Sequence, residues 1–151
     1  SAGPDERFSS IVRYFEERGG RADVLANETR NYSTFDYELL GADLAGQILS
    51  LKERPTGIVF YNDARAFGGM KALLAMGFSI PGDFSVASFD NVPMAGLMTP
   101  GLTSVDLGYK RAAAHAVRAV IECGAPEETH VEPVLAGRQS VREAPQKEGL
   151  A

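Results

Sequence analysis

The chain has 151 residues, of which 44% are hydrophobic and 23% charged, a composition typical of one compact globular domain. Fifteen lysines and arginines against twenty aspartates and glutamates give a net charge of −5, so the chain has no positive excess with which to hold DNA. One cysteine and two histidines provide neither an internal disulfide nor a zinc site. The sequence contains neither a membrane-spanning apolar run nor the order of a signal peptide, so we expect a cytoplasmic protein.

The first third of the chain predicts two helices with a short strand between them. Apolar residues at one-face helical spacing predict a helix that ends at about Arg18. The apolar run 22–26 is typical of a buried strand. Thr34 is the expected N-cap of a second helix, which ends before Pro55.

The middle of the chain predicts two buried strands joined by a helix. The apolar runs 56–61 and 84–89 are typical of strands covered on both faces of a parallel sheet. An apolar stripe over 64–76 predicts the helix between them, so the three elements form a right-handed βαβ unit. A short helix over 92–98 and an extended stretch over 102–107 are expected to follow.

The last part of the chain predicts a helix and an edge strand. The alanine-rich segment 109–122 predicts the helix. The stretch 131–141 alternates in part and contains Pro133, which favours an edge strand or a strand with a break. Together the elements indicate an α/β fold with a doubly wound parallel sheet.

Polar side chains follow the two buried strands at their carboxyl ends. Asn62 and Asp63 come after the first strand, and Asp90 comes directly after the second. Because ligands of open parallel sheets bind outside the carboxyl ends of the strands, these three residues are candidate binding residues. Amide and carboxylate groups together accept several hydroxyl hydrogen bonds, so a neutral hydroxylated ligand fits this set.

Each candidate also has a structural interpretation. Asn62 or Asp63 is suited to cap the following helix, and Asp90 is a good turn residue. Arg7 lies near the positive end of its helix dipole, which favours a role in a binding cleft over that of a solvated surface arginine. Tyr32 is either a core aromatic or a platform on which a sugar ring stacks.

The motifs of common enzyme and cofactor sites are missing from the sequence. It contains no nucleophile elbow, no phosphate-binding loop and no dinucleotide-binding loop. A hydrolase that uses Asp63 and Asp90 as an acid–base pair is an alternative that no further feature of the sequence supports. We therefore expect neither catalysis nor a cofactor or metal.

Three motifs follow one another in the second half of the chain. Asn62-Asp63 closes the segment 55–63, Pro-x-Asp-x-Ser-Val over 81–86 leads to Phe89-Asp90, and Pro-x-Leu-Thr occupies 100–103. In this order the motifs resemble the ligand-sensing region of the LacI/GalR family of bacterial regulators, which are related to periplasmic sugar-binding proteins. The resemblance extends over residues 3–142 and about half of the family's sensor.

The resemblance implies a periplasmic-binding-protein-like fold of type I, with a small effector, expected to be a sugar, bound between two lobes. Residues 3–103 and 131–142 would form most of the C-terminal lobe, and the helix over 109–122 would pack on the absent N-terminal lobe. Operator DNA would be bound only through the absent helix-turn-helix domain of a homodimer, and no membrane contact is expected. A periplasmic-type sugar-binding protein for transport or chemotaxis is the alternative.

The resemblance also assigns residues to two sites. The residues that match or lie near the family's effector-binding positions are Arg7, Tyr32, Asn62, Asp63 and Asp90. The residues expected at a dimer interface, with ordinary core packing as the alternative, are Phe67, Met70, Leu74, Met94, Leu97 and Met98. The chain departs from the family pattern at Ser10 and Ser88, where the family has glycine, and at Asn91, where it has aspartate.

Overall fold

The computed structural model describes residues 6–26, 36–122 and 129–143. The chain divides into two units, residues 1–30 and 31–151, and each is described by itself. The first unit contains helix α1, Glu6–Glu16, close to the predicted position. Residues 22–26 form no strand, and Val24 is 59% exposed, so the prediction of a buried strand is wrong for the described structure. A strand requires a neighbour whose backbone groups pair with its own, and no described residue provides one.

The second unit alternates helices and strands along the chain. Its elements are α2 (Tyr37–Ser50), β1 (Gly57–Val59), α3 (Asp63–Ala75), β2 (Ser85–Phe89), α4 (Pro93–Leu97), β3 (Thr103–Asp106), α5 (Tyr109–Ile121) and β4 (Val134–Ala136). Each of these elements confirms a predicted one. The predicted start of α2 is wrong, because Asp36 occupies the N-cap position. Thr34 lies outside the described residues.

The four strands form one mixed sheet in the order β1-β2-β3-β4. The pairs β1–β2 and β2–β3 are parallel, as predicted, whereas β4 runs antiparallel to β3. The strand β4 lies at the sheet edge and begins directly after Pro133, which confirms the predicted edge strand. In this register Ser88 of β2 lies beside Ser104 of β3.

Helix α3 packs against α2 through glycines. A Cβ atom added at Gly41 would lie 1.9 Å from the Arg65 carbonyl oxygen, and one added at Gly68 would lie 1.9 Å from the Glu38 carbonyl oxygen. On the inner side of α3, Met70 and Leu73 have no exposed surface. The two helices therefore approach as closely as their backbones allow. This packing on α2 fixes the position of the first residues of α3.

Helix α5 differs from α3, because all of its residues are exposed in the described structure. Its large apolar side chains include Val117, Val120 and Ile121, which are 56%, 78% and 72% exposed. Neither α5 nor any other helix of the described ranges has the length and apolar character needed to cross a bilayer.

Candidate functional site

The candidate site lies at the carboxyl ends of β1 and β2. These strands are parallel, so their carboxyl ends lie at the same edge of the sheet. Asn62 is the N-cap of α3: its side-chain oxygen accepts a hydrogen bond from the Arg65 backbone N–H at 3.0 Å. The capping role weighed for Asn62 or Asp63 thus belongs to Asn62, whose side chain remains partly exposed at the sheet edge.

Asp63 lies inside the fold. One carboxylate oxygen accepts hydrogen bonds from the hydroxyls of Ser88 and Ser104, the latter at 2.6 Å. The other oxygen accepts the backbone N–H of Val92 at 2.7 Å. The residue has 0% exposed surface, so the direct effector contact expected for Asp63 does not fit the described structure. Its carboxylate instead joins the start of α3 to β2, to β3 and to the residues that follow β2.

The turn after β2 has an unusual backbone. Asp90 and Asn91 adopt positive φ angles of 104° and 51°, in a region that residues other than glycine seldom occupy. Hydrogen bonds hold the turn at both residues: the Asp90 N–H donates to the Val105 carbonyl at 3.0 Å, and the Asn91 N–H donates to the Ser104 hydroxyl at 3.0 Å. The surrounding strands therefore impose the conformation of the turn.

Arg138, two residues beyond β4, holds the same turn from another side. Its guanidinium donates to the side-chain oxygen of Asn91 at 2.7 Å and to the carbonyl of Leu102 at 2.6 Å. Both are charge-assisted hydrogen bonds, which are stronger than neutral ones. The turn is thus tied to the ends of β2, β3 and β4.

The carboxylate of Asp90 is partly exposed at this sheet edge. It accepts a hydrogen bond from the phenol of Tyr109, the first residue of α5, at 3.3 Å. Tyr109 itself is 59% exposed. The pair presents one acceptor group and one hydroxyl that both donates and accepts, a combination suited to the hydroxyl groups of a small ligand.

The two remaining predicted effector residues are not part of the geometry described above. Arg7 is a half-buried residue of α1 in the first unit, whereas the site above belongs to the second unit alone. Tyr32 lies outside the described residues. Effector contacts of Arg7, Tyr32, Asn62 and Asp90 stay predictions.

The residues predicted at a dimer interface differ in exposure. Leu74, Met94 and Leu97 are 39%, 52% and 77% exposed, and Phe67 and Met98 are half-buried. Met70 is fully buried between α3 and its neighbours, so it has no surface to offer to a partner. For Met70 the core alternative applies, because the residue lies on the inner side of α3.

Sequence reasoning did not identify the side chains that hold the site in place. Ser88 and Ser104 are hydroxyl residues on buried strands, and this is the signal that could have found them, because a buried hydroxyl needs a hydrogen-bond partner. Tyr109 and Arg138 carry no comparable signal, since they contact Asp90 and Asn91 from distant positions in the sequence.

Comparison with known proteins gives consistent matches. A family model described as "Periplasmic binding protein-like domain" matches residues 1–141. The HTH-type transcriptional repressor PurR of Pectobacterium atrosepticum is 33% identical over 151 residues, covering 95% of this chain and 44% of the relative. The lactose operon repressor of Rhizobium radiobacter is 40% identical over 65 residues, covering 43% of this chain and 58% of the relative.

Solved structures lead to the same group of proteins. A LacI-type transcription regulator from Bifidobacterium animalis subsp. lactis superposes with a TM-score of 0.72 and is 28% identical, covering 89% of this chain and 49% of the regulator. The chain therefore spans about half the length of the relatives that it matches.

Proposed function

Because the chain belongs to the periplasmic binding protein-like domain family, as part of the ligand-sensing region of a LacI/GalR-type regulator, we propose that it binds a small effector beside Asp90. The observation that carries this proposal is the partly exposed Asp90 carboxylate, held at the carboxyl end of β2 in a turn with positive φ angles. Ligands of open α/β sheets bind at such strand ends. The phenol of Tyr109 lies beside the carboxylate and adds a second polar group.

The chemistry of this pair favours a neutral ligand rich in hydroxyl groups, such as a sugar. A carboxylate accepts hydrogen bonds from hydroxyls, whereas it repels an anionic group at the same position. The similarity to a repressor named for the lactose operon agrees with a sugar. Arg7, Asn62 and Tyr32 complete the proposed set of effector contacts. Asp63 supports this set from inside the fold and has no surface for contact.

We also propose how effector binding changes DNA binding in the intact protein. Effector binding favours one arrangement of two lobes, and this changes the operator affinity of a homodimer whose DNA-binding domain lies outside this chain. The exposed apolar side chains of α5, which include Val117 and Ile121, pack on the second lobe. The dimer contact uses the exposed residues Leu74, Met94 and Leu97. The activity is binding and regulation in the cytoplasm, without a catalytic step.

The proposal is tested by ligand screening of the intact protein with D-galactose, D-ribose, glucose 6-phosphate and adenine. Calorimetry and thermal shift compare the wild type with Asp90→Asn. Asparagine keeps the size of the side chain and tolerates a positive φ, but it removes the charge. Asp43→Asn, an exposed aspartate of α2, is the matched control.

We expect a saturable stabilisation that grows as RT ln(1 + [L]/Kd), with D-galactose or D-ribose as the ligand. Asp90→Asn abolishes the stabilisation, and Asp43→Asn keeps it. Stabilisation that survives in Asp90→Asn would remove this carboxylate from the site. Turnover of a compound that Asp90→Asn still binds but no longer converts would support a hydrolase instead.

A further inference from the structure

The side chain of Asp63 is a buried carboxylate whose hydrogen-bond partners come from three segments. Ser88 lies on β2, Ser104 on β3, and Val92 directly follows the turn formed by Asp90 and Asn91. Within the described ranges, no lysine or arginine forms an ion pair with it. Burial of a charge in the absence of an opposite charge costs free energy, and apolar residues join strands at lower cost. The carboxylate therefore serves a purpose other than simple cohesion of the sheet.

Its hydrogen bonds converge on the backbone of the turn. The N–H of Val92 donates directly to the carboxylate, and the N–H of Asn91 donates to the Ser104 hydroxyl, which in turn donates to the carboxylate. Ser104 thus accepts one hydrogen bond and donates another, which fixes the orientation of its hydroxyl. Two successive amides, one directly and one through a serine, are held by a single buried group.

The two residues with positive φ angles are Asp90 and Asn91. The Asn91 amide follows the first of them, and the Val92 amide follows the second. A strained backbone of this kind persists only where its surroundings impose it. If the hydrogen bonds to Asn91 and Val92 are lost, the turn relaxes toward negative φ, and the carboxylate of Asp90 changes its position. The direction of the Asp90 side chain is therefore set from inside the fold.

Two further side chains belong to this network. The hydroxyl of Ser88 donates to Asp63. The side-chain oxygen of Asn91 accepts from Arg138 at 2.7 Å. Ser88 thus contacts the buried carboxylate, and Asn91 joins the turn to Arg138.

We infer that Asp63, acting through Ser104 and the Val92 amide, is a positioning residue that holds the turn over 90–92 so that Asp90 faces the effector. This inference rests on the proposed function for its binding consequence. Its structural part, that the buried carboxylate holds the turn, does not depend on any ligand. Asp63 itself stays out of contact with the effector.

The test compares two buried serines of the same sheet region in the intact protein. Ser104 and Ser140 both have 0% exposure, and each hydroxyl accepts from one backbone amide and donates to one oxygen. Ser140 joins Thr103 to Val86 and does not touch the turn. Ser104→Ala and Ser140→Ala therefore each remove two buried hydrogen bonds, and only the first removes a connection to the turn.

Two readouts are used. Amide hydrogen exchange at Asn91 and Val92 is measured without ligand, and the Kd is measured with the compound among D-galactose, D-ribose, glucose 6-phosphate and adenine that stabilises the wild type most. We expect Ser104→Ala to raise both exchange rates and the Kd by about tenfold, the effect of losing one buried hydrogen bond. Ser140→Ala changes each by less than about twofold, although it lowers the midpoint temperature of unfolding, because it too removes buried hydrogen bonds.

Equal effects of the two variants on exchange at Asn91 and Val92 would overturn the inference. A changed exchange rate with an unchanged Kd would also overturn its binding part. If no compound binds the wild type, the proposed function fails for these ligand classes, while the exchange data still decide whether the carboxylate holds the turn. Ser88→Ala provides a second variant, because Ser88 contacts Asp63 but neither turn amide, and we expect an effect smaller than that of Ser104→Ala.

Discussion

The helices α3 and α5 have 13 residues each and follow parallel strands, yet their surroundings are opposite. Helix α3 buries six residues, which are Asp63, Ala66, Gly68, Gly69, Met70 and Leu73. Helix α5 buries none, although it carries Val117, Val120 and Ile121. Helical periodicity therefore specifies an apolar face in both cases, whereas what covers this face depends on the neighbouring segments.

The difference matters for the site, because each helix contributes its first residue. Asp63 begins α3, whose position is fixed by close packing on α2. Tyr109 begins α5 and donates to Asp90. The turn that carries Asp90 is thus joined through Asp63 to a helix that is packed within the described residues, and through Tyr109 to a helix whose apolar side chains are exposed.

The largest effect is expected where α2 and α3 touch. Gly41→Ala places a methyl group 1.9 Å from the Arg65 carbonyl oxygen, so the two helices must separate. We expect a loss of more than about 4 kcal/mol in the free energy of unfolding, because the obstacle is backbone rather than a flexible side chain. Urea unfolding of the purified variant measures this loss.

Gly46→Ala in the same helix is the control. No described atom lies within 4 Å of a Cβ at Gly46, and alanine favours a helix over glycine. We expect the free energy of unfolding of this variant to rise by about 1 kcal/mol. Similar changes in both variants would contradict the close packing of α2 on α3.

The elements of the second unit could be predicted because their apolar patterns are local. Continuous apolar runs identified β1 and β2, and parallel pairing placed Asn62 and Asp90 at one sheet edge. The strand expected over 22–26 could not be settled in this way, since a strand forms only with a partner whose position the local pattern does not contain.

The inward direction of Asp63 could not be predicted for a related reason. A carboxylate at the first residue of a helix gives the same sequence signal whether it faces a cleft or the underside of the sheet. What decides its direction is the pair of hydroxyls on Ser88 and Ser104, which lie side by side only in the observed strand register. Arg138 reaches the turn from 47 residues away, a separation that no local pattern reveals.

A second comparison uses one apolar side chain from each helix. Leu73→Ala on α3 removes a fully buried side chain. We expect it to lower the free energy of unfolding by about 3 kcal/mol, both in the 151-residue chain and in the intact protein. Val120→Ala on α5 changes a residue that is 78% exposed, so in the 151-residue chain we expect a change within about 0.5 kcal/mol.

The same pair of variants in the intact protein tests the proposed cover of α5. If α5 packs on a second lobe, Val120→Ala costs about 1–2 kcal/mol there, because methyl groups leave an apolar interface. Denaturant unfolding of each variant, in the 151-residue chain and in the intact protein, gives the four changes in the free energy of unfolding. A neutral effect of Val120→Ala in the intact protein would show that the second lobe does not cover this face.

The smallest effect concerns the charges on the outer sides of the two helices. Lys71 of α3 pairs with Glu38 of α2 at 2.6 Å, and this hydrogen bond and the opposite charge raise the pKa of Lys71. A raised pKa in the folded state contributes stability below the unfolded value of 10.5, and this stability is lost as the pH rises through the folded value. Glu38→Gln therefore lowers the pKa of Lys71 toward 10.5 and reduces the loss of stability on the alkaline side.

The pair Arg118–Glu122 provides the comparison at α5, since Arg118 lies on this helix and Glu122 directly follows its last residue. Glu122→Gln removes a carboxylate of the same kind, so we expect it to leave the pKa of Lys71 unchanged. NMR titration of the Lys71 side chain in both variants measures the difference. Equal pKa values of Lys71 in the wild type and in Glu38→Gln would mean that the ion pair does not persist in solution, and the contact between α2 and α3 would then rest on the glycines and the apolar core alone.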